Sequence, residues 1–187
     1  EAGQRAMLTT VVRTWGSSPR PVGSIMALCE TGAVVGSVSG GCIEDDLIAQ
    51  YSKANAILDS APIQLKYGIS ADEAHRFGLP CGGTLELLLE FNPDPTSLAE
   101  LIAMLERGQL TQRCTDLNSG VVSLNASDAP SELHIDAHQL INTFGPEYRM
   151  LLIGAGQMTE YLATMALFNG FAVTVCASAR NRRTAIR

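Results

Sequence analysis

Roughly the first ninety residues alternate between β-branched or apolar runs and glycine-centred breaks. That punctuation limits this part of the chain to short strands joined by tight loops. Met7 to Trp15 (MLTTVVRTW) is rich in β-branched residues. Met26 to Leu28 and Ala33 to Val38 flank Glu30-Thr31-Gly32 in the pattern of a hairpin. Thr84 to Phe91 (TLELLLEF) sets Leu85, Leu87, Leu89 and Phe91 on one face and Thr84, Glu86 and Glu90 on the other, which predicts a strand buried on one side.

Helical spacing is confined to a few segments. Ile43, Leu47, Tyr51, Ala54 and Leu58 predict a helix from about Cys42 to Leu58, starting at Gly40-Gly41. Ser70 with Glu73 forms a capping box for a short helix that ends near Gly78. Ser97 with Glu100 forms another, for a helix with Leu98, Leu101, Ile102 and Leu105 as its apolar stripe and Gly108 as its stop. Residues 109–149 are mixed, with a strand expected at Gly120 to Leu124, a polar stretch from Asn125 to Glu132, and a domain boundary near Phe144-Gly145-Pro146. Beyond it, Met150 to Ile153, Gln157 to Asn169 and Ala172 to Cys176 read as strand, helix and strand.

The expected class is α/β: a mixed β-rich N-terminal domain with Cys-Gly loops over residues 1–146, its motifs within 7–91, then a partial Rossmann-like domain over 147–187. Parallel strands joined by a helix require further strands beside them, so the chain is expected to be a piece of a longer protein. A hydrophobic fraction of 46% against 17% charged excludes a disordered acidic tail, and a net charge of −6 disfavours nucleic acid or an anionic membrane as a partner. No apolar run approaches the roughly 20 residues of a membrane-spanning helix. The five cysteines are scattered with no CxxC pair, which fits a reducing compartment and a cytoplasmic protein.

Three glycine loops carry the residues with chemistry. In Ser37-Val38-Ser39-Gly40-Gly41-Cys42-Ile43-Glu44, Cys42 stands at the predicted start of a helix, where unpaired backbone N–H groups favour an anion or a thiolate while Glu44, Asp45 and Asp46 oppose one. In Gly78-Leu79-Pro80-Cys81-Gly82-Gly83-Thr84, glycines Gly82 and Gly83 let the backbone approach a ligand closely beside a second thiol. The plain alternative is that Cys42 and Cys81 are small buried hydrophobes in tight turns. Gly16-Ser17-Ser18-Pro19-Arg20-Pro21-Val22-Gly23 supplies the hydroxyls of Ser17 and Ser18 and the guanidinium of Arg20, a set suited to a phosphate or planar oxyanion, or else simply a rigid loop.

GSSPRPVG, GSVSGGCIE and GLPCGGTLE, in this order, resemble the XdhC/CoxI family of molybdenum-hydroxylase accessory proteins. The resemblance implies an accessory factor rather than an enzyme. Such a factor binds the molybdenum cofactor (molybdopterin or its dinucleotide form) transiently, supports its sulfuration, and inserts it into the apoenzyme of a hydroxylase such as xanthine dehydrogenase. The family's motif cysteines correspond to Cys42 and Cys81, candidates to contact the molybdenum, and its GSSPRP-type loop to Ser17, Ser18 and Arg20. The resemblance also implies a sulfurtransferase or cofactor-synthesis proteins as further partners, and a homodimer. Soft thiolate is a suitable group to meet a sulfur-ligated metal, and Gly40, Gly41, Gly82 and Gly83 with Arg20 would suit the pterin phosphate.

Leu151 to Thr159 (LLIGAGQMT) places Gly154 and Gly156 between a strand and a helix, the context of a dinucleotide turn. The third fingerprint position is Thr159, and the next strand ends in Ala177-Ser178-Ala179 with no acid for a ribose diol. Despite these departures, the Gly154-Ala155-Gly156 turn makes an NAD(P)-dependent oxidoreductase with a reactive Cys42 the alternative function, and a third is a scaffold that touches no cofactor. His134 and His138, four residues apart, would share a helix face but lack a third metal ligand. Trp15, Met158 and Met165 are read as packing residues.

Overall fold

A computed structural model describes residues 3–16, 18, 20–52, 57–68, 83–146 and 148–177. Its first unit is a five-stranded antiparallel sheet, β3-β2-β1-β5-β4, made of β1 (Ala6–Trp15), β2 (Ile25–Cys29), β3 (Val34–Gly36), β4 (Ile63–Tyr67) and β5 (Thr84–Phe91). The β2–β3 hairpin and β5 stand where the sequence puts them. The central pair, β1 and β5, runs from Met7 opposite Phe91 to Trp15 opposite Thr84, with a bulge between Val11 and Arg13. The bulge shifts the pairing by one residue, and the consecutive residues Val11 and Val12 are both buried, in the cores on opposite sides of the sheet.

One face of this sheet is covered by α1 (Cys42–Tyr51), whose Ile43 and Leu47 pack against Met7, Val11, Met26, Leu28, Leu85, Leu87 and Leu89. Each such fully buried side chain contributes about 1.5–3 kcal/mol of transfer free energy. The helix stops at Tyr51 rather than reaching Leu58: the Ser52 hydroxyl donates to the Ile48 carbonyl at 2.5 Å and closes the turn, and Leu58 is exposed.

The other face is covered by a second antiparallel sheet, β7-β6-β9-β8, made of β6 (Thr111–Asp116), β7 (Val122–Ala126), β8 (His134–Ile135) and β9 (Gln139–Phe144). Val12 and Leu88 from the first sheet meet Ile135 and Leu140 from the second. β5 is therefore buried on both sides rather than one: Leu88 is enclosed between the sheets, and Glu90 is 4% exposed, held by Arg113 of β6 at 2.8 Å. Of this second sheet only β7 has a counterpart in the sequence reading, shifted from 120–124 to 122–126.

The chain passes from the first sheet to the second through α2 (Pro95–Glu106), so Ser97, the expected cap, lies inside the helix. Asp94 is the cap instead, accepting from the N–H groups of Thr96 and Ser97, and Pro95 occupies the first helical position with its φ already set. Ile102 of the expected stripe is 56% exposed, whereas Leu101 is buried. The expected helix from Ser70 to Gly78 lies outside the described residues.

The last described part is β10 (Tyr148–Ile153), α3 (Gln157–Phe168) and β11 (Phe171–Cys176), with β10 and β11 parallel from Tyr148 opposite Phe171 to Ile153 opposite Cys176. Ile153, Phe168, Met158 and Met165 are exposed here, so the two methionines are not the core residues that the sequence leads one to expect. One helix packed on two strands leaves its own outer side uncovered. No helix among the described residues is long and apolar enough to cross a membrane.

Candidate functional site

The strand pairings bring loops 16–24 and 37–41, together with Gly68 and Gly83, to one end of the five-stranded sheet. Trp15, the last residue of β1, pairs with Thr84, the first of β5. Thr10 of β1 pairs with Ile25 at the start of β2, Met26 pairs with Gly36 at the end of β3, and Tyr67 at the end of β4 pairs with Leu85. Loops 16–24 and 37–41 therefore leave the sheet on the same side as Gly68 and Gly83, the described residues that flank the Cys81 loop. Gly16 and Gly83 touch there: Gly16 has φ +73°, and a Cβ on it would lie 3.2 Å from the Gly83 Cα. The first loop and the end of the Cys81 loop are thus in backbone contact. Ser17, Cys81 and Gly82 lie outside the described residues, and Gly83 is buried.

Loop 37–41 is organised by a carboxylate. Glu44 Oε1 accepts from the N–H groups of Val38 (2.9 Å), Ser39 (2.8 Å) and Gly40 (2.9 Å) and from the Ser37 hydroxyl (2.8 Å). Glu44 Oε2 accepts from the Gly41 N–H at 2.8 Å and from the Ser39 hydroxyl. The side chain sits 9% exposed. Burial pushes its carboxyl up, but the Ser39 hydroxyl and the N–H groups of Ser39, Gly40 and Gly41 outweigh it and hold Glu44 well below the usual carboxylate range. The Gly40 and Gly41 N–H groups, expected to face an external anion, hold the protein's own. Glu44, expected to oppose an anion at this helix start, is that anion.

Cys42 follows directly as the first residue of α1, and it is exposed. It is not the buried hydrophobe of the plain alternative. Asp46, one turn on, accepts from the Tyr67 hydroxyl at 2.9 Å and from Gln50 Nε2 at 2.6 Å.

Arg20 joins the first loop to the second. Its Nε donates to Ser37 Oγ at 3.0 Å, Ser37 in turn donates to Glu44, and the Ser18 hydroxyl donates to the Arg20 carbonyl at 2.8 Å. Among the described residues the two Nη groups of Arg20 have no hydrogen-bond or ion-pair partner. Arg20 lines a shallow cleft of about 440 Å³ together with Ser24, Ile25, Gly36 and Ser37. An exposed guanidinium fixed through Nε and free at both Nη groups can take an oxyanion in bidentate fashion.

Beside this end, Trp15 is 48% exposed rather than packed away, with Lys66 Nζ 4.8 Å from its ring centroid. Lys66 and Arg13 also flank Glu86, at 3.1 and 3.6 Å. Gly154 and Gly156 are placed elsewhere, in the β10–α3–β11 unit: the Gly154 N–H donates to the Cys176 carbonyl at 2.8 Å, and Gly156 caps α3. His134 lies on β8, 3.7 Å from Asp136, and His138 in the following turn, so they share no helix face. No cluster of metal-ligating side chains occurs among the described residues.

Ser37 is the site residue that sequence reasoning left without a role, and Glu44 the one whose role it inverted. The signal for Glu44 was a Glu three residues after the helix cap Gly41, the position from which a side chain reaches back to the cap N–H.

Residues 1–68 match the model of the XdhC and CoxI family. Over these residues the chain is similar to that family. The match includes the GSSPRPVG and GSVSGGCIE loops and α1. The chain is also 32% identical over 170 residues to the molybdenum cofactor insertion chaperone PaoD of Escherichia coli, covering 91% of this chain and 52% of the relative. It is 26% identical over 208 residues to a protein of Bacillus subtilis described as a probable component of xanthine dehydrogenase, covering 94% of this chain and 60% of the relative. A crystal structure of a xanthine dehydrogenase from Bacillus halodurans superposes with a TM-score of 0.65 at 26% identity, covering 93% of this chain and 58% of that one. The chain thus spans between about half and three-fifths of the length of each relative.

Proposed function

We propose that this chain binds the molybdenum cofactor and inserts it into the apoenzyme of a molybdenum hydroxylase such as xanthine dehydrogenase. The observation that carries the reading is the meeting of loops 16–24 and 37–41 at one sheet end beside Gly83, where Arg20 presents two Nη groups without a partner among the described residues and Cys42 an exposed thiol. The relatives described as an insertion chaperone and as a probable component of xanthine dehydrogenase support it. In this reading the cofactor is cargo rather than a resident group, and the chain performs no reaction of its own.

Arg20, with Ser17 and Ser18, takes the phosphate of the pterin. Cys42 and Cys81 offer soft ligands to a sulfur-ligated metal, and Gly82 and Gly83 allow close backbone approach. Support of cofactor sulfuration belongs to the same reading, with a sulfurtransferase or a cofactor-synthesis protein as partner, in a cytoplasmic homodimer. We assign cofactor handling to residues 1–146. We read 147–187 as part of a Rossmann-like domain whose Gly154-Ala155-Gly156 turn would meet the nucleotide of a dinucleotide cofactor.

Titration of molybdenum cofactor into the protein, with bound pterin and molybdenum measured after gel filtration, tests this. Saturable binding is expected for the parent chain, with affinity reduced about tenfold to a hundredfold in Arg20→Ala, the range of one lost charge-assisted contact. Cys42→Ala with Cys81→Ala is expected to release molybdenum more readily than pterin. Failure of the correctly folded parent to bind would overturn the reading.

A further inference from the structure

We infer that Glu44 is the positioning residue of this site: its carboxylate fills the anion nest of loop 37–41 and, through Ser37, aims the Arg20 guanidinium at the cleft, leaving Arg20 rather than the loop backbone to meet a ligand's anion. The ligand's identity rests on the cofactor reading above; the geometry does not.

Four consecutive backbone N–H groups, from Val38 to Gly41, converge on one carboxylate at 2.8–2.9 Å. Such a concavity ordinarily recruits a phosphate or a similar anion. Here a ligand would have to displace a tethered side chain and leave its buried carboxylate without donors, a costly exchange. Glu44 cannot readily move aside, because its neighbours Ile43 and Leu47 anchor α1 in the core. The nest is therefore structural. Its outlet is Ser37, whose hydroxyl donates to Glu44 Oε1 and so turns its lone pairs toward Arg20 Nε. With Nε committed, the planar guanidinium has one edge left, and that edge carries both Nη groups, which have no partner among the described residues.

A side chain that merely fills space would be replaceable by glutamine. An ionised acceptor serving six donors would not, because the amide offers one oxygen and turns two N–H groups toward the nest. The test uses the parent chain with Ser37→Ala, Glu44→Ala and Glu44→Gln. Removing the carboxylate empties a nest built for an anion, so added acetate or phosphate should restore the melting temperature of Glu44→Ala, whereas chloride at equal ionic strength should not. In ¹⁵N-resolved NMR, the Arg20 Nε–H signal should be protected from exchange in the parent and lose that protection in Ser37→Ala. That variant keeps the other five contacts of Glu44 and should melt within about 4 °C of the parent.

Ser37→Ala should also weaken molybdenum-cofactor binding about tenfold. Absence of acetate rescue in a folded Glu44→Ala, parent-like stability of Glu44→Gln, or an unchanged Arg20 signal in Ser37→Ala would each overturn the inference. If Glu44→Ala does not fold, the Arg20 signal decides alone. A parent that binds no cofactor would sink the functional reading while leaving rescue and exchange to decide this one.

Discussion

Glu90 and Arg113 meet between the two sheets, each about 95% buried, in a bidentate pair at 2.8 and 2.9 Å that Thr115 also joins. Arg113 Nε has no partner among the described residues, so the pair is incompletely satisfied. An enclosed ion pair depends on both members far more than it stabilises. Arg113→Ala is expected to cost about 3–5 kcal/mol by leaving the Glu90 charge uncompensated, whereas Glu90→Leu with Arg113→Met together should cost much less. Urea unfolding of the two single variants and the double one checks this; a double variant as damaged as Arg113→Ala would refute it. The sequence showed TLELLLEF as a strand but could not show this pair. Glu90 looks like a solvent-facing residue in a half-buried strand until a second sheet with its own cation is laid over it.

The element that sequence reading handled least well is β6, and the reason is chemical. Thr111, Arg113 and Thr115 are its inward residues, so TQRCTD carries the period of a strand with no hydrophobic alternation to reveal it. β5 and the β2–β3 hairpin, whose inward residues are Leu, Met and Val, were legible for the converse reason. α1 was legible at its start, where Gly40-Gly41 precedes the apolar stripe, and misread at its end, where Ser52 takes the Ile48 carbonyl. β3 offers a direct test of how tightly the second loop is fixed. Gly36 has φ +86°, and a Cβ there would lie 2.3 Å from the Ile25 carbonyl oxygen. Gly36→Ala should therefore destabilise the chain by more than about 2 kcal/mol. In the same chain Gly40→Ala, with φ +87° but open space around the new Cβ, should cost less. Equal losses for the two, read from urea midpoints, would show that backbone strain alone, and not the β2–β3 contact, sets the requirement.

At the scale of the whole molecule, the loops were visible in the sequence and their meeting was not. It depends on β1 pairing with β5 across some seventy residues and on the antiparallel order of the sheet, neither of which a single loop encodes. What the loops and turns share is a set of carboxylates committed to backbone donors, and these are expected to contribute to the fold's response to acid. Asp94 is held low by the N–H groups of Thr96 and Ser97, Asp116 by the hydroxyl and N–H of Ser119, and Asp136 by the N–H groups of His138 and Gln139. Glu44 is held low despite its burial. Each has a folded-state pKa depressed below its unfolded value of about 3.9 for Asp or 4.3 for Glu. The stability they contribute is therefore fully present above that range and is lost as pH falls through the folded values. The urea midpoint should be level from about pH 8 to about pH 5 and fall steadily below about pH 4. Asp116→Asn with Asp136→Asn keeps a side-chain oxygen for each turn but removes two titrating groups, so its midpoint should start lower at neutral pH and fall less steeply in acid. A parent midpoint that holds from neutral pH down to about pH 2.5, or a double variant with an unchanged acid slope, would show that these turns are not what acid unfolds.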